Sequence, residues 1–82
     1  MILVDISVPS VDKVYDFQLS ETAQIGVVIE EIAEIIGQKE RTEIVGDVSM
    51  LQLCDKNAQI VLPRNRTFSD CNIHTGDSLI LI

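Results

Sequence analysis

Apolar and polar side chains alternate from Met1 to Val8, with Ile2, Val4, Ile6 and Val8 on one side and Met1, Leu3, Asp5 and Ser7 on the other. A period of two predicts a strand with one buried face. Pro9, Ser10 and Asp12 interrupt it with turn-forming residues, and Tyr15, Phe17 and Leu19 then resume the alternation against Lys13, Asp16 and Gln18. The two segments read as a β-hairpin. From Thr22 the period lengthens: Ile25, Val28, Ile29, Ile32, Ile35 and Ile36 recur every three or four residues, while Glu30, Glu31 and Glu34 fall opposite. That spacing predicts an amphipathic helix of about four turns. Ser20 or Thr22 is placed to cap its start, and Gly37 suits the left-handed position that ends it. So many β-branched residues lower intrinsic helix propensity, so packing must hold this helix.

Beyond the helix, Gln38 to Asp47 is charged and weakly patterned and reads as a loop, with a short strand near Ile44 and a turn at Gly46-Asp47. Val48 to Cys54 predicts a third strand, Asp55 to Ala58 a polar turn, and Gln59 to Leu62 a short fourth strand stopped by Pro63. In the last apolar run Leu79 and Leu81 face the core, and Ser78, Ile80 and Ile82 face away. The order is strand, strand, helix, strand, short strand, turn, strand, without repeat, low-complexity tract or linker. A sheet with one helix across one face is a stable solution for a single α+β domain spanning residues 1–82.

Composition narrows the partners. Side chains are 46% apolar but only 4% aromatic, so the core is built from Ile, Val and Leu. Thirteen acidic against six basic residues give a formal charge of −7, with the acids scattered. The balance disfavours a nucleic-acid partner, because phosphate binding rests on Lys and Arg displacing counterions. Direct binding to an anionic membrane is disfavoured for the same reason. No apolar run reaches the roughly 18 residues that span a bilayer, and Asp5 and Asp12 interrupt any signal-peptide reading. The expected location is the cytoplasm. Cys54, Cys71 and the single histidine, His74, are too few and too dispersed for a zinc site, and no cofactor is implied.

The segment Arg66-Thr67-Phe68-Ser69-Asp70-Cys71-Asn72-Ile73, followed by an apolar strand, resembles the end of ubiquitin, which reads Arg-Thr-Leu-Ser-Asp-Tyr-Asn-Ile at the corresponding place. With the elements in the order above, the likeness extends over essentially the whole chain and implies a β-grasp fold. Identity is concentrated in Arg66-Thr67, Ser69-Asp70 and Asn72-Ile73. The Gly76-Asp77 before the last strand is similar to a narrower group, the small ubiquitin-like proteins of bacterial type VII (ESX) secretion loci, the YukD and EsaB family. That resemblance implies a cytoplasmic, non-conjugated accessory of a secretion machine. The sequence as given stops at Ile82 with no Gly-Gly, which a modifier needs for adenylation. Two alternatives stay open: the soluble head of a membrane secretion subunit, and a sulfur carrier or modifier with a truncated tail.

Most polar candidates have a structural reading. Glu30, Glu31 and Glu34 form a solvated helix face with no histidine beside them for acid-base work or cation binding. His74 falls in a turn, and neither Cys54 nor Cys71 has a base or cleft in prospect. Ser69-Asp70 caps a single helical turn before Ile73, which plugs the core, and Cys71 is a small, partly buried filler. Lys56 is a solvated turn residue. No catalytic residue is expected. The candidate surface is the side of the sheet that the helix leaves open, where Leu3, Met50, Ile80 and Ile82 project with Gln52 among them. The alignment with ubiquitin puts Gln52 where ubiquitin's recognition surface has an exposed isoleucine. The expected partner is a protein of the secretion machinery, and the same apolar face would also permit a homodimer.

Overall fold

A computed structural model describes residues 1–41 and 48–82. The hairpin forms as the alternation requires: β1 (Ile2–Val8) pairs antiparallel with β2 (Lys13–Leu19), from Ile2 opposite Leu19 to Val8 opposite Lys13. The connection is a 3-10 turn at Pro9–Val11, and Asp12 then takes the left-handed conformation with φ 55°. Val4, Ile6, Val8, Tyr15, Phe17 and Leu19 are buried on one face, while Val14, Asp16 and Gln18 are exposed on the other.

The helix α1 spans Ile25–Glu40, three residues later at each end than the sequence suggests. Ser20 and Thr22 do not cap it, because the Ser20 hydroxyl instead accepts from the Thr22 amide in the preceding turn. The first helical amides are satisfied from elsewhere in the chain. Ile25 N–H donates to the Arg66 carbonyl at 2.8 Å and Gly26 N–H to the Arg64 carbonyl at 2.9 Å. These bonds remove the need for a side-chain cap. They also bring the loop so close that a Cβ on Gly26 would sit 3.3 Å from the Arg64 carbonyl oxygen.

At the other end the helix runs through Gly37 and stops at Arg41, which has φ 53°. The extra turn is anchored by β2: Lys13 Nζ donates to both Glu40 carboxylate oxygens at 2.8 and 2.9 Å, and the Tyr15 hydroxyl donates to Glu40 as well. Gln38 to Glu40 are therefore helix and not loop. The predicted strand near Ile44 and turn at Gly46-Asp47 lie outside the described residues.

Helix and sheet meet through Ile25, Val28, Ile29, Ile32, Ala33 and Ile36, all buried. Ile35, expected in this stripe, is 46% exposed. At 100° per residue it lies at the margin of the apolar arc, about 90° from its centre.

The third strand is shorter than predicted. Val48–Met50 is a 3-10 turn, and β3 is Leu53–Asp55, paired with β4 (Ile60–Val61) and β5 (Ser78–Leu81). Pairing begins one residue earlier in substance, since Gln52 and Ile82 exchange backbone bonds of 2.6 and 2.9 Å. Asp55 Oδ1 accepts from the Asn57 and Ala58 amides and so shapes the turn between β3 and β4.

The sheet order is β2-β1-β5-β3-β4, with β1 and β5 parallel and all other neighbours antiparallel. This is an α+β arrangement, a mixed sheet with one helix packed across one face. Before β5 the chain closes a single turn in which Thr67 and Asp70 cap each other. Thr67 N–H donates to the Asp70 carboxylate, and Asp70 N–H to the Thr67 hydroxyl, both at 3.1 Å. Asn72 follows with φ 57° and Ile73 enters the core. Gly76 has φ 95°, a region that L side chains avoid, and its N–H meets the Leu3 carbonyl at 2.9 Å to deliver the chain alongside β1. Phe68, fully buried in that turn, is a core residue that the alternation pattern does not single out.

Candidate protein-interaction surface

Strand pairing fixes which side chains are neighbours on the face that α1 leaves open. Val14 lies opposite Ser7, Ser7 beside Ile80, Ile80 opposite Cys54, and Cys54 opposite Val61. This register makes one row across all five strands. Three of its members are aliphatic, and Val14 and Val61 are 62% and 49% exposed. Cys54, in the row, is only 9% exposed.

Of the residues expected here, Ile80, Ile82 and Gln52 come together. Ile80 is in the row, and Ile82 pairs with Gln52 one step further along the strands. Leu3 is on the same face but lies opposite Gln18, four residues from Ser7 along β1, hence roughly 13 Å from the row. Met50 is 76% exposed in the 3-10 turn before β3, outside the sheet. The central outward position of β3 is Cys54, with Gln52 just ahead of the strand. Val14, Cys54 and Val61 were not among the expected residues. Parity alone could have found Val14, whereas the other two needed the register of short strands.

Beside the apolar row runs a polar one, Asp16 opposite Asp5 and Asp5 beside Ser78. Two carboxylates directly opposite each other work against the sheet. The Ser78 hydroxyl donates to Asp5 Oδ1 at 2.9 Å, but among the described residues no cation pairs with either acid.

The remaining polar groups serve the fold. Glu40 is held below the usual carboxylate range by hydrogen bonds from Lys13 and then Tyr15, and the same contact pushes the Tyr15 hydroxyl up to about 12. The Lys39 ammonium lies 5.3 Å from the centre of the Tyr15 ring, which strengthens the same corner. His74 is exposed in its turn, with its N–H donating to Asp77 at 2.7 Å. Burial pushes the Cys71 thiol up, as does neighbouring Asp70, which leaves less of the nucleophilic thiolate. Glu30, Glu31 and Glu34 are exposed. Among the described residues no group of three or more metal-binding side chains converges, and no helix is long and apolar enough to cross a membrane.

A five-stranded mixed sheet gripping one helix, with an open face and no converging chemistry among the described residues, defines a ubiquitin-like β-grasp domain. Solved structures agree on the fold. The chain is similar to the EccD5 ubiquitin-like domain from Mycobacterium xenopi, at 19% identity and TM-score 0.79, covering 99% of this chain and 91% of that one. It is similar to ubiquitin of Caldiarchaeum subterraneum at 16% identity and TM-score 0.74, with coverage of 99% and 90%. A ubiquitin-like domain from Arabidopsis thaliana aligns at 17% identity and TM-score 0.73, with coverage of 99% and 74%. Comparison with curated proteins gives no match. The family model described as WXG100 protein secretion system (Wss), protein YukD, matches residues 3–81, and the chain belongs to that family.

Proposed function

We propose that this protein is a non-enzymatic, non-conjugated adaptor of a type VII secretion system, working in the cytoplasm and binding a protein component of that machine through its open sheet face. Family membership supports the secretion context. The observation that carries the binding role is the row from Val14 to Val61, in which Val14 and Val61 are exposed at the two ends and Ile80 is half-buried between them, on the sheet face opposite α1. Such a face is an unused half of a two-layer interface. Ile80 lies in this row and Ile82 and Gln52 beside it, Leu3 lies on the same face about 13 Å away, and Met50 projects from the turn before β3. The same face is where a second copy would dock if the protein dimerised.

The test is capture of secretion subunits by tagged protein from a bacterium carrying the system, comparing wild type with Ile80→Asp. Loss of those subunits in the variant, with an unchanged circular dichroism spectrum, is the expected result. Equal recovery from both would remove the face from consideration.

A further inference from the structure

The geometry points to the occupant of the open face: an amphipathic α-helix of about thirteen residues, lying across the strands and carrying basic side chains at one end. This rests on the binding role proposed above and adds the partner's chemistry and direction. The apolar row crosses five strands, so at about 4.8 Å per strand it is about 19 Å long. A helix rises 1.5 Å per residue, so about thirteen residues span that length, and its 5.4 Å pitch nearly matches the strand spacing. Residues on one stripe of the helix therefore meet successive members of the row.

An extended peptide fits this face less well. The flat of a sheet offers no backbone donors or acceptors, so a strand lying on it would bury its own amides and carbonyls unpaired, whereas a helix satisfies them internally. Within the row, Ser7 is the small residue between Val14 and Ile80. At the hairpin end of the row an open dimple is lined by Ser7, Val8, Pro9, Asp12, Lys13 and Val14.

Charge sets the helix's composition and orientation. Asp5 and Asp16 lie in the adjacent row, two residues or about 7 Å along their strands from Ser7 and Val14, and only at the β2 and β1 end. A long basic side chain on the flank of a helix seated in the apolar row reaches them and relieves their mutual repulsion. The protein's −7 charge adds attraction at a distance. The helix of a second copy is disfavoured as the occupant, because it presents Glu30, Glu31 and Glu34 outward.

The experiment uses a synthetic fifteen-residue helical peptide with leucines at positions 1, 5, 8 and 12 and lysines flanking one end, titrated into isotope-labelled protein and followed by amide NMR shifts. Saturable shifts at Ser7, Val14, Cys54, Val61 and Ile80 are expected, with affinity reduced more than tenfold by Val61→Asp. The double variant Asp5→Asn/Asp16→Asn keeps a side-chain carbonyl at position 5 to accept from Ser78, and it weakens binding about threefold to tenfold at low salt. Replacing the peptide's lysines with glutamates has at least that effect. The inference is overturned by shifts centred on Glu30, Glu31 and Glu34, by equal binding of the glutamate peptide, or by no saturable shift at millimolar peptide. Any of these leaves the capture experiment with Ile80→Asp standing on its own, so failure of the helix reading and failure of the adaptor reading are told apart.

Discussion

Leu79 and Ile80 are adjacent, alike in size and opposite in role, so truncating each in turn measures whether the last strand is turned as described. Leu79 is fully buried between β1 and β3 beneath the helix, whereas Ile80 lies on the open face between Ser7 and Cys54. Leu79→Ala removes three buried carbon atoms and leaves a cavity, a change that costs about 2–5 kcal/mol. A domain of 82 residues has roughly 4–12 kcal/mol in total, so this is a large share. It corresponds to a fall in Tm of at least about 10 °C. Ile80, half-buried, loses cross-strand contacts and part of its burial in Ile80→Ala, about 1–2 kcal/mol. With no tryptophan in the chain, urea unfolding followed by far-UV circular dichroism is the suitable assay. Equal losses in the two variants, or a larger loss for Ile80→Ala, would mean that the strand is turned the other way and that the open-face row does not exist.

Two further predictions concern the corner where β2 holds the helix end. Tyr15 is the only tyrosine and there is no tryptophan, so absorbance at 295 nm should report its ionisation alone, with a midpoint of about 12 that falls toward 10 in Glu40→Gln. A wild-type midpoint near 10 would refute the Glu40 contact. A tyrosine raised in this way adds stability that is complete below pH 10 and lost as pH rises through about 12. Glu40 acts in the opposite sense: its folded value is depressed, so its contribution is complete above pH 4.5 and lost as pH falls through the lower folded value. Hydrogen-exchange protection in residues 37–40 should therefore drop on acidification below pH 4.5 in wild type and change little in Glu40→Gln, and a matching drop in the variant would assign the effect elsewhere.

Much of the fold was legible because one face of each long element is buried. Seven alternating residues in β1 and the 3.6-residue period of the helix are long enough to fix type and facing, while in the turn before Ile73 the expected Asp70 cap is present but its partner is Thr67 and not Ser69. The helix limits were not legible, since they depend on distant groups: the Arg64 and Arg66 carbonyls at one end, and Lys13 with Tyr15 at the other. Short elements failed similarly. Val48 to Cys54 has the composition of a strand, yet only Leu53–Asp55 finds partners on both sides, and the residues before Gln52 turn instead. The candidate surface was legible as a face but not as a row. Ile80 and Ile82 follow from parity, whereas Cys54 and Val61 join them only through pairing between strands of three and two residues, too short to carry a period.

The acidic character of the open face comes from placement as well as from net charge. The chain has six cationic side chains, and the structure commits three to internal work. Lys13 binds Glu40, Lys39 sits over the Tyr15 ring, and Arg64 donates to the Leu51 carbonyl at 2.7 Å. Two of these sit at the junction of β2 with the helix end, where Lys13 is bound to Glu40, while the exposed Lys56 lies beyond Ser78 at the β3 end of the polar row. Like charges placed opposite each other on paired strands disfavour the pair, so a cation bound beside Asp5 and Asp16 adds its attraction at that position. A face tuned only for solubility would gain as much from acids spread over separate strands. Acids set opposite one another beside a row whose ends, Val14 and Val61, are exposed make a surface that favours a visitor bearing both a cation and an apolar stripe.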